Sequence, residues 1–220
     1  MDPKLHSLFR PIQANGRDVY YRYAEILPSP VLQSFISSYW ISEPTNLSTR
    51  EYSGIDRVVP DGCTDIIFEH DHNNDFDIRY FGIVDYSFPI LKEENRPVYK
   101  FGIRFFPGGA YPFIRTSLDQ FTNQNFSLRL IWPKIDEVAE QLVNKKSLVE
   151  KVQVVENYLI SNMTEWTKDN HISHLLYRVF ISKGTLGIQE LAMYGGFSTR
   201  HINRLFKQWI GISPKKFSEI

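Results

Sequence analysis

Cysteine is nearly absent from this 220-residue chain, which has a single one, Cys63. One cysteine excludes an internal disulfide and a metal site built from several thiolates, and it is typical of a reducing compartment. Long apolar runs are also missing, since no segment approaches the roughly 18 apolar residues of a membrane-spanning helix. The first residues, MDPKLHSLFRPIQ, lack the apolar stretch of a secretory signal. We therefore expect a cytoplasmic protein with no membrane partner.

An excess of charge of either sign is missing too, because 25 basic side chains balance 25 acidic ones. The hydrophobic content of 42% indicates an ordinary globular protein with a sizeable core. The charges are unevenly placed, however: residues 183–220 carry six basic and two acidic side chains, which leaves 19 and 23 for the rest. An acidic body with a basic tail is typical of a sensing domain joined to a nucleic-acid-binding one.

The last part of the chain predicts two short helices joined by a glycine turn. Apolar residues spaced three and four apart predict the first helix over residues 188–194. Gly195 and Gly196 should end it, because glycine takes the left-handed backbone conformation of a helix end without steric cost. Ser198 is a suitable N-cap for a second helix over residues 199–210. The pattern indicates a helix-turn-helix, with a plain helical hairpin as the alternative.

The second of these helices should have one apolar and one basic face. Its apolar arc contains Ile202, Leu205, Phe206, Trp209 and Ile210, and its polar arc contains Arg200, Asn203, Arg204 and Lys207. A helix of this size fits the major groove of B-DNA. Arginine and asparagine match guanine and adenine edges, whereas Lys207, Lys215 and Lys216 suit phosphates. The sequence therefore predicts double-stranded DNA as a partner.

These residues resemble a known family. The segments Glu190-Leu191-Ala192, Gly196-Phe197-Ser198, Arg200 to Lys207 and Gly211-Ile212-Ser213-Pro214 are similar to the first helix-turn-helix of the AraC/XylS family of bacterial transcription regulators. The resemblance implies that Arg200, Asn203 and Arg204 read bases, and that Ser198, Thr199 and Lys207 lie near the DNA backbone. Family members carry two such units. Because the chain stops at Ile220, we expect a fragment of a longer protein, a one-headed variant being the alternative.

The part from residue 19 to residue 106 favours β-strands separated by turns. Strict alternation predicts a half-buried strand over residues 99–105. Residues 64–68 should form a strand after a turn at Asp61-Gly62, and a hairpin turn at residues 72–75 should lead into a returning strand over residues 78–84. Residues 31–39 are predicted to form a short helix on the sheet. Several short strands with frequent turns favour a small barrel or a sandwich.

A second resemblance covers this β-rich part. Pro60-Asp61-Gly62-Cys63, the run from Arg104 to Ala110, and Tyr39-Trp40 look like the N-terminal domain of one subgroup of the same regulators. This implies a sensor or dimerisation domain, comparable in role to the cupin-like domains of better-known relatives, that responds to a small-molecule effector. Asp61 and Arg104 are the candidate effector contacts. A structural turn aspartate and an exposed strand arginine are the alternatives.

Apolar spacing changes to the helical period after residue 134. It predicts helices over residues 135–142, 148–163 and 172–180, the last of which should support the helix-turn-helix. The expected fold is therefore α+β. The expected domains are a β-rich sensor or dimerisation domain (1–132), a helical connector (133–165) and the first half of an AraC-type DNA-binding domain (166–220). The connector either carries a signal or forms a homodimer seam, or it merely covers the sheet.

Few side chains suggest catalysis. Asp71, Asn73, Asp75 and Asp77 alternate as in a calcium loop, but Phe76 stands where such a loop needs glycine. His70 and His72 could share a metal, yet a cupin-type site needs further ligands. Cys63 has no base nearby in the sequence. We expect no enzyme, no metal and no cofactor; the alternative is a cupin-like ligand-binding protein or metalloenzyme with a helical tail that binds proteins.

Overall fold

The computed structural model describes residues 5–9, 11, 20–45, 55–71, 75–91, 98–163 and 171–220. Seven of the eight described strands lie within residues 19–106, as the composition of that part predicts, and the eighth follows at residues 125–127. The eight are β1 (Tyr21–Ile26), β2 (Ile36–Pro44), β3 (Ile55–Val58), β4 (Thr64–His70), β5 (Phe76–Phe81), β6 (Phe88–Leu91), β7 (Tyr99–Phe105) and β8 (Asn125–Ser127). The strands predicted over residues 64–68 and 99–105 are confirmed. The predicted turn at residues 72–75 falls largely outside the described residues.

The strands form an open sheet rather than a barrel. Six of them pair in the order β1-β2-β7-β4-β5-β8, with antiparallel neighbours, while β3 and β6 form a separate two-stranded sheet. A closed barrel needs its edge strands to pair with each other. In the described part β1 and β8 are free edges, and helices cover the inner face. The α+β class is confirmed, whereas of the two predicted forms, a barrel or a sandwich, the barrel is wrong for these strands, and a cupin form is not confirmed.

Strand β7 lies in the middle of the sheet and is buried on both faces. Phe101, Ile103 and Phe105 point to the main core, as the alternation predicts. The opposite face of the same strand is covered as well, because the Trp40 ring lies over Gly102 and Arg104 is only 6% exposed. The predicted half-buried strand is therefore a fully buried one in its second half.

Residues 31–39 do not form the predicted helix. Backbone hydrogen bonds from Phe35 and Ile36 to the Leu32 carbonyl, at 2.9 and 3.0 Å, close a single turn, and β2 then begins. Tyr39 and Trp40 pair with β1 on one side and β7 on the other. Pairing on both sides satisfies the backbone groups of this aromatic and β-branched run, so tertiary context overrides the helical spacing of its apolar residues.

Helices cover the sheet and continue to the end of the chain. They are α1 (Leu5–Leu8), α2 (Tyr111–Ile114), α3 (Ile135–Val143), α4 (Leu148–Asn162), α5 (His171–Ile181), α6 (Ile188–Gly195), α7 (Thr199–Trp209) and α8 (Pro214–Ser218). Two short 3₁₀ helices lie at Leu118–Phe121 and Leu128–Leu130. Within the described ranges, no helix combines the length and apolarity needed to cross a lipid bilayer.

Helices α3 and α4 pack on the sheet and share its core. Their buried side chains, among them Val138, Leu142, Val155 and Leu159, join the cluster formed by the core face of the strands. Ser147 begins α4 with a reciprocal capping box, in which its hydroxyl and the Glu150 carboxylate satisfy each other's backbone amide. Helices α3 and α4 therefore cover the sheet, which is one of the roles that sequence analysis left open for this segment. A role in signalling or dimerisation stays a prediction.

Helices α5 to α8 surround a second core, separate from the first. Its buried residues come mainly from these four helices, among them Leu175, Leu191, Ile202, Phe206 and Phe217. The sheet domain, by which we mean residues 20–163, contributes Ile83 to this cluster, and Trp209 packs against both cores. Helix α5 supports the two helices that follow it, as its position in the sequence predicts.

Candidate nucleic-acid interface

A tight turn joins α6 to α7. Gly196 ends α6 with φ 67°, a left-handed conformation that favours glycine, and its amide bonds back to the Ala192 carbonyl. Ser198 then caps α7, because its hydroxyl accepts a hydrogen bond from the His201 amide at 3.2 Å. Both features agree with the sequence prediction, and the helix bounds differ from the predicted ones by one residue at each C-terminal end. The two predicted helices and the glycine turn between them are thus confirmed, and their assignment as a helix-turn-helix stays a prediction.

The apolar side of α7 anchors it to the other C-terminal helices. Ile202 and Phe206 are fully buried, and Ile210 just after the helix is 1% exposed. Burying a large aliphatic or aromatic side chain contributes about 1.5–3 kcal/mol each, so this face is held firmly. Glu190 stabilises the N-terminus of its own helix, α6, since its carboxylate accepts a hydrogen bond from the Gly187 amide at 2.9 Å.

The opposite side of α7 carries a basic stripe, which we define as Arg200, Asn203, Arg204 and Lys207. Arg200, Arg204 and Lys207 are exposed, and Asn203 is half-buried. Among the described residues, none of the three cations forms an ion pair. The Asn203 side-chain amide donates to the Thr199 carbonyl at 3.0 Å, a bond within the helix that reading an adenine edge would have to replace. The stripe is therefore accessible to a partner.

The remaining candidate DNA contacts lie at the start of α7 and on α8. Ser198 and Thr199 are exposed at the start of α7. Lys215 is exposed on α8, whereas Lys216 lies 3.9 Å from Asp85 and 4.0 Å from Glu219. Among the candidate cations of the described residues, Lys216 alone lies within 4.0 Å of a carboxylate, and two carboxylates flank it.

The C-terminal end of α7 docks on the sheet domain. The Thr122 hydroxyl donates to the Gly211 carbonyl at 2.7 Å, and the Gln208 amide bonds to the Tyr111 hydroxyl. The Tyr111 and Trp209 rings lie 4.4 Å apart between centroids. The sequence contains no signal for these contacts, because they join residues about ninety positions apart. Arg200 and Arg204, in the N-terminal half of α7, remain exposed in this docked arrangement.

Asp61 and Arg104, the candidate effector contacts, are brought together by the fold. The Arg104 guanidinium forms an ion pair with Asp61, and a second one with Asp65 at 3.2 Å. Arg104 is buried, so the expectation of an exposed strand arginine is wrong: Trp40 and the neighbouring strands cover that face of β7. Asp61 does brace its turn, since its carboxylate accepts a hydrogen bond from the Cys63 amide at 3.0 Å.

Sequence reasoning missed three members of this polar cluster: Tyr23, Trp40 and Asp65. Asp65 stands directly opposite Arg104 in the β4–β7 register, and the Trp40 indole donates to it at 3.2 Å. Burial raises the pKa of the Asp65 carboxyl, an effect that the Trp40 hydrogen bond opposes, and burial lowers the pKa of Arg104 to about 10. Arg104 therefore stays cationic at neutral pH. The pairing of β4 with β7 would have identified Asp65 as a partner of Arg104, but sequence patterns alone do not reveal which strands pair or in what register.

Other candidate sites have ordinary structural environments. His70 stacks on Tyr99 at 5.0 Å, while His72 and Asn73 lie outside the described residues. In the part of the chain that the structure describes, no group of three potential ligands is placed to hold a metal. Cys63 is buried, and burial raises the pKa of its thiol, which disfavours the nucleophilic thiolate. A cavity of about 20 Å³ between the sheet and α3–α4 has room for about one water molecule.

Comparison with known proteins adds one finding. The family described as "Domain of unknown function (DUF6597)" matches residues 24–127, which run from within β1 to the end of β8. These residues thus carry a domain found in other proteins, and it coincides with the open sheet and the polar cluster around Arg104. No curated protein and no solved structure matches the chain.

Proposed function

We propose that the chain is a sequence-specific DNA-binding transcription regulator of the AraC/XylS type, acting in the bacterial cytoplasm. The observation that carries this proposal is the construction of α7. One side of the helix is buried in the C-terminal core through Ile202 and Phe206, and the other side presents the basic stripe without a partner carboxylate. A helix held in this way can enter a groove without losing its own support.

The dimensions of α7 suit the major groove. Its 11 residues span about 17 Å, and a helix with its side chains is about 10–12 Å wide, which matches a groove about 12 Å wide. In helix-turn-helix proteins the N-terminal residues of the second helix contact base edges. Arg200, Asn203 and Arg204 occupy that part of α7, while Lys207 lies one turn further along, where a phosphate contact is favoured.

The sheet domain supplies the regulatory part of the proposal. A small-molecule effector or a second copy of the chain binds the sheet domain and thereby changes the arrangement in which the C-terminal helices face DNA. Such a ligand acts only through its differential affinity for the two arrangements. Because Arg104 is already paired with Asp61 and Asp65, an anionic effector would reach it only by displacing a carboxylate. Asp61, whose side chain is 27% exposed, is the more accessible of the two.

The proposal is tested by selecting binding sites for the purified full chain from a library of random duplex DNA. Arg200→Ala and Arg204→Ala should each relax base preference at one position, costing about 1–3 kcal/mol there. Lys207→Ala should weaken binding to all sequences alike and reduce its salt dependence. Lys146→Ala removes an exposed cation between α3 and α4 and serves as the charge-matched control. Enrichment of no motif, or equal losses for all four variants on every sequence, would contradict the proposal.

A further inference from the structure

His201 lies on α7 beside the basic stripe and belongs to a row of stacked rings. Its imidazole stacks on Phe197, with centroids 4.5 Å apart and planes 22° apart. The edge of His171 on α5 meets Phe197 at 4.9 Å and 89°. The ring of His201 is therefore restrained by packing. One turn further on, Arg204 Nη2 lies 3.2 Å from His201 Nδ1.

The chemistry of this pair determines which tautomer of His201 takes part. Arginine carries five donors and no acceptor, and it keeps its charge in proteins. The contact is thus a hydrogen bond only if Nδ1 accepts it, which requires a neutral imidazole with its proton on Nε2. The bond uses a single donor of the guanidinium. Enough donors remain for the paired contact that an arginine makes with the O6 and N7 atoms of guanine.

We propose that His201 is a positioning residue that holds the Arg204 guanidinium in the orientation for reading a base. An unrestrained arginine loses much rotamer freedom when it docks on a base edge, whereas a tethered one has lost part of it beforehand. Arg200 offers the comparison within the same helix, since it makes no such hydrogen bond among the described residues. The inference rests on the proposed function, because it concerns how one residue of the stripe reads DNA.

Three substitutions of His201 distinguish the role of its hydrogen-bond acceptor, Nδ1, from the role of its stacked ring. His201→Phe keeps the ring that stacks on Phe197 but removes the acceptor. His201→Asn places an amide oxygen close to the position of Nδ1, whereas His201→Gln places its amide near Nε2. The matched control is His174→Phe, which changes an exposed histidine on α5 that is not part of the row of stacked rings. Circular dichroism melting of each full-length variant verifies that it is folded.

The measurement is base preference at every position of the selected site, compared with that of Arg204→Ala. His201→Phe and His201→Gln should lose preference at the position that Arg204→Ala identifies, by roughly tenfold or more. His201→Asn should retain most of it, and preference at other positions, including that of Arg200, should not change. Adding His201→Phe to Arg204→Ala should have no further effect at that position, because the two residues act through one contact.

The possible outcomes distinguish this inference from the function on which it rests. Undiminished preference in both His201→Phe and His201→Gln would overturn the positioning role while leaving DNA binding intact. Equal loss at all positions would likewise overturn it, since that result indicates a general defect in the helix. If the unaltered chain selects no DNA motif, the proposed function and the inference fall together. If His201→Phe does not fold, the comparison of His201→Asn with His201→Gln decides the question.

Discussion

At the scale of single residues, the face of the sheet opposite α3 and α4 depends on a glycine at position 102. A Cβ atom there would lie 2.0 Å from the Trp40 ring, which covers the strand, stacks near Tyr23 and donates to Asp65. We predict that Gly102→Ala destabilises the protein by about 1–3 kcal/mol, the usual cost of overpacking. Urea unfolding followed by tryptophan fluorescence measures the change.

A second substitution tests the cause of that loss. In a Trp40→Leu background the space above position 102 is larger, so Gly102→Ala should cost clearly less than in the unaltered chain. The difference between the two costs is the coupling energy of the pair. Equal costs in both backgrounds would show that the destabilisation does not come from the contact between residue 102 and the indole.

At the scale of elements, the turn between α6 and α7 depends on backbone conformation alone. Gly196 has φ 67°, and a Cβ atom added to it would meet no atom within 4 Å. Gly196→Ala should therefore cost about 1–2 kcal/mol from left-handed strain without any clash, and Gly196→Asn should cost less, because asparagine tolerates this conformation. Thermal unfolding by circular dichroism measures both. A larger loss for asparagine than for alanine would contradict the explanation.

The elements also show how far sequence patterns reach. The apolar spacing along residues 135–163 and 188–210 predicted four helices that the structure contains, because each helix buries one stripe against a neighbour. The same spacing failed over residues 31–39, because the segment pairs with β7 from Ile36 onward and with β1 at Tyr39. A short apolar run fits either a helix or a strand, and only its partners decide between them.

At the scale of the whole molecule, the two cores meet through the apolar side chains of Ile83 and Trp209 and through a few hydrogen bonds. The Thr122 hydroxyl bonds to the Gly211 carbonyl, and Tyr111 contacts Gln208 and Trp209. Interfaces of this kind between domains permit relative motion more readily than large apolar ones. We expect removal of these hydrogen bonds to loosen the hold on the C-terminal helices.

We predict that Thr122→Val combined with Tyr111→Phe uncouples the two cores. Each substitution keeps the side-chain shape and removes a hydroxyl, at a cost of about 0.5–1.5 kcal/mol. Calorimetry should then show a broader unfolding, with a van't Hoff enthalpy below the calorimetric one, compared with the unaltered chain. Ser117→Ala removes an exposed hydroxyl near the same interface and is the control. Unchanged cooperativity in the double variant would mean that the docking contacts do not link the cores.

The amino-acid sequence by itself determined the local features of this protein. Helix caps, the glycine turn and the basic stripe depend on residues within a few positions of one another. They can therefore be predicted from the sequence. The tertiary structure alone decided that the sheet is open, that Arg104 is buried between Asp61 and Asp65, and that α7 docks through Gln208. These features join residues that are far apart in the chain. Strand register and domain packing bring such residues together, and both are properties of the whole fold.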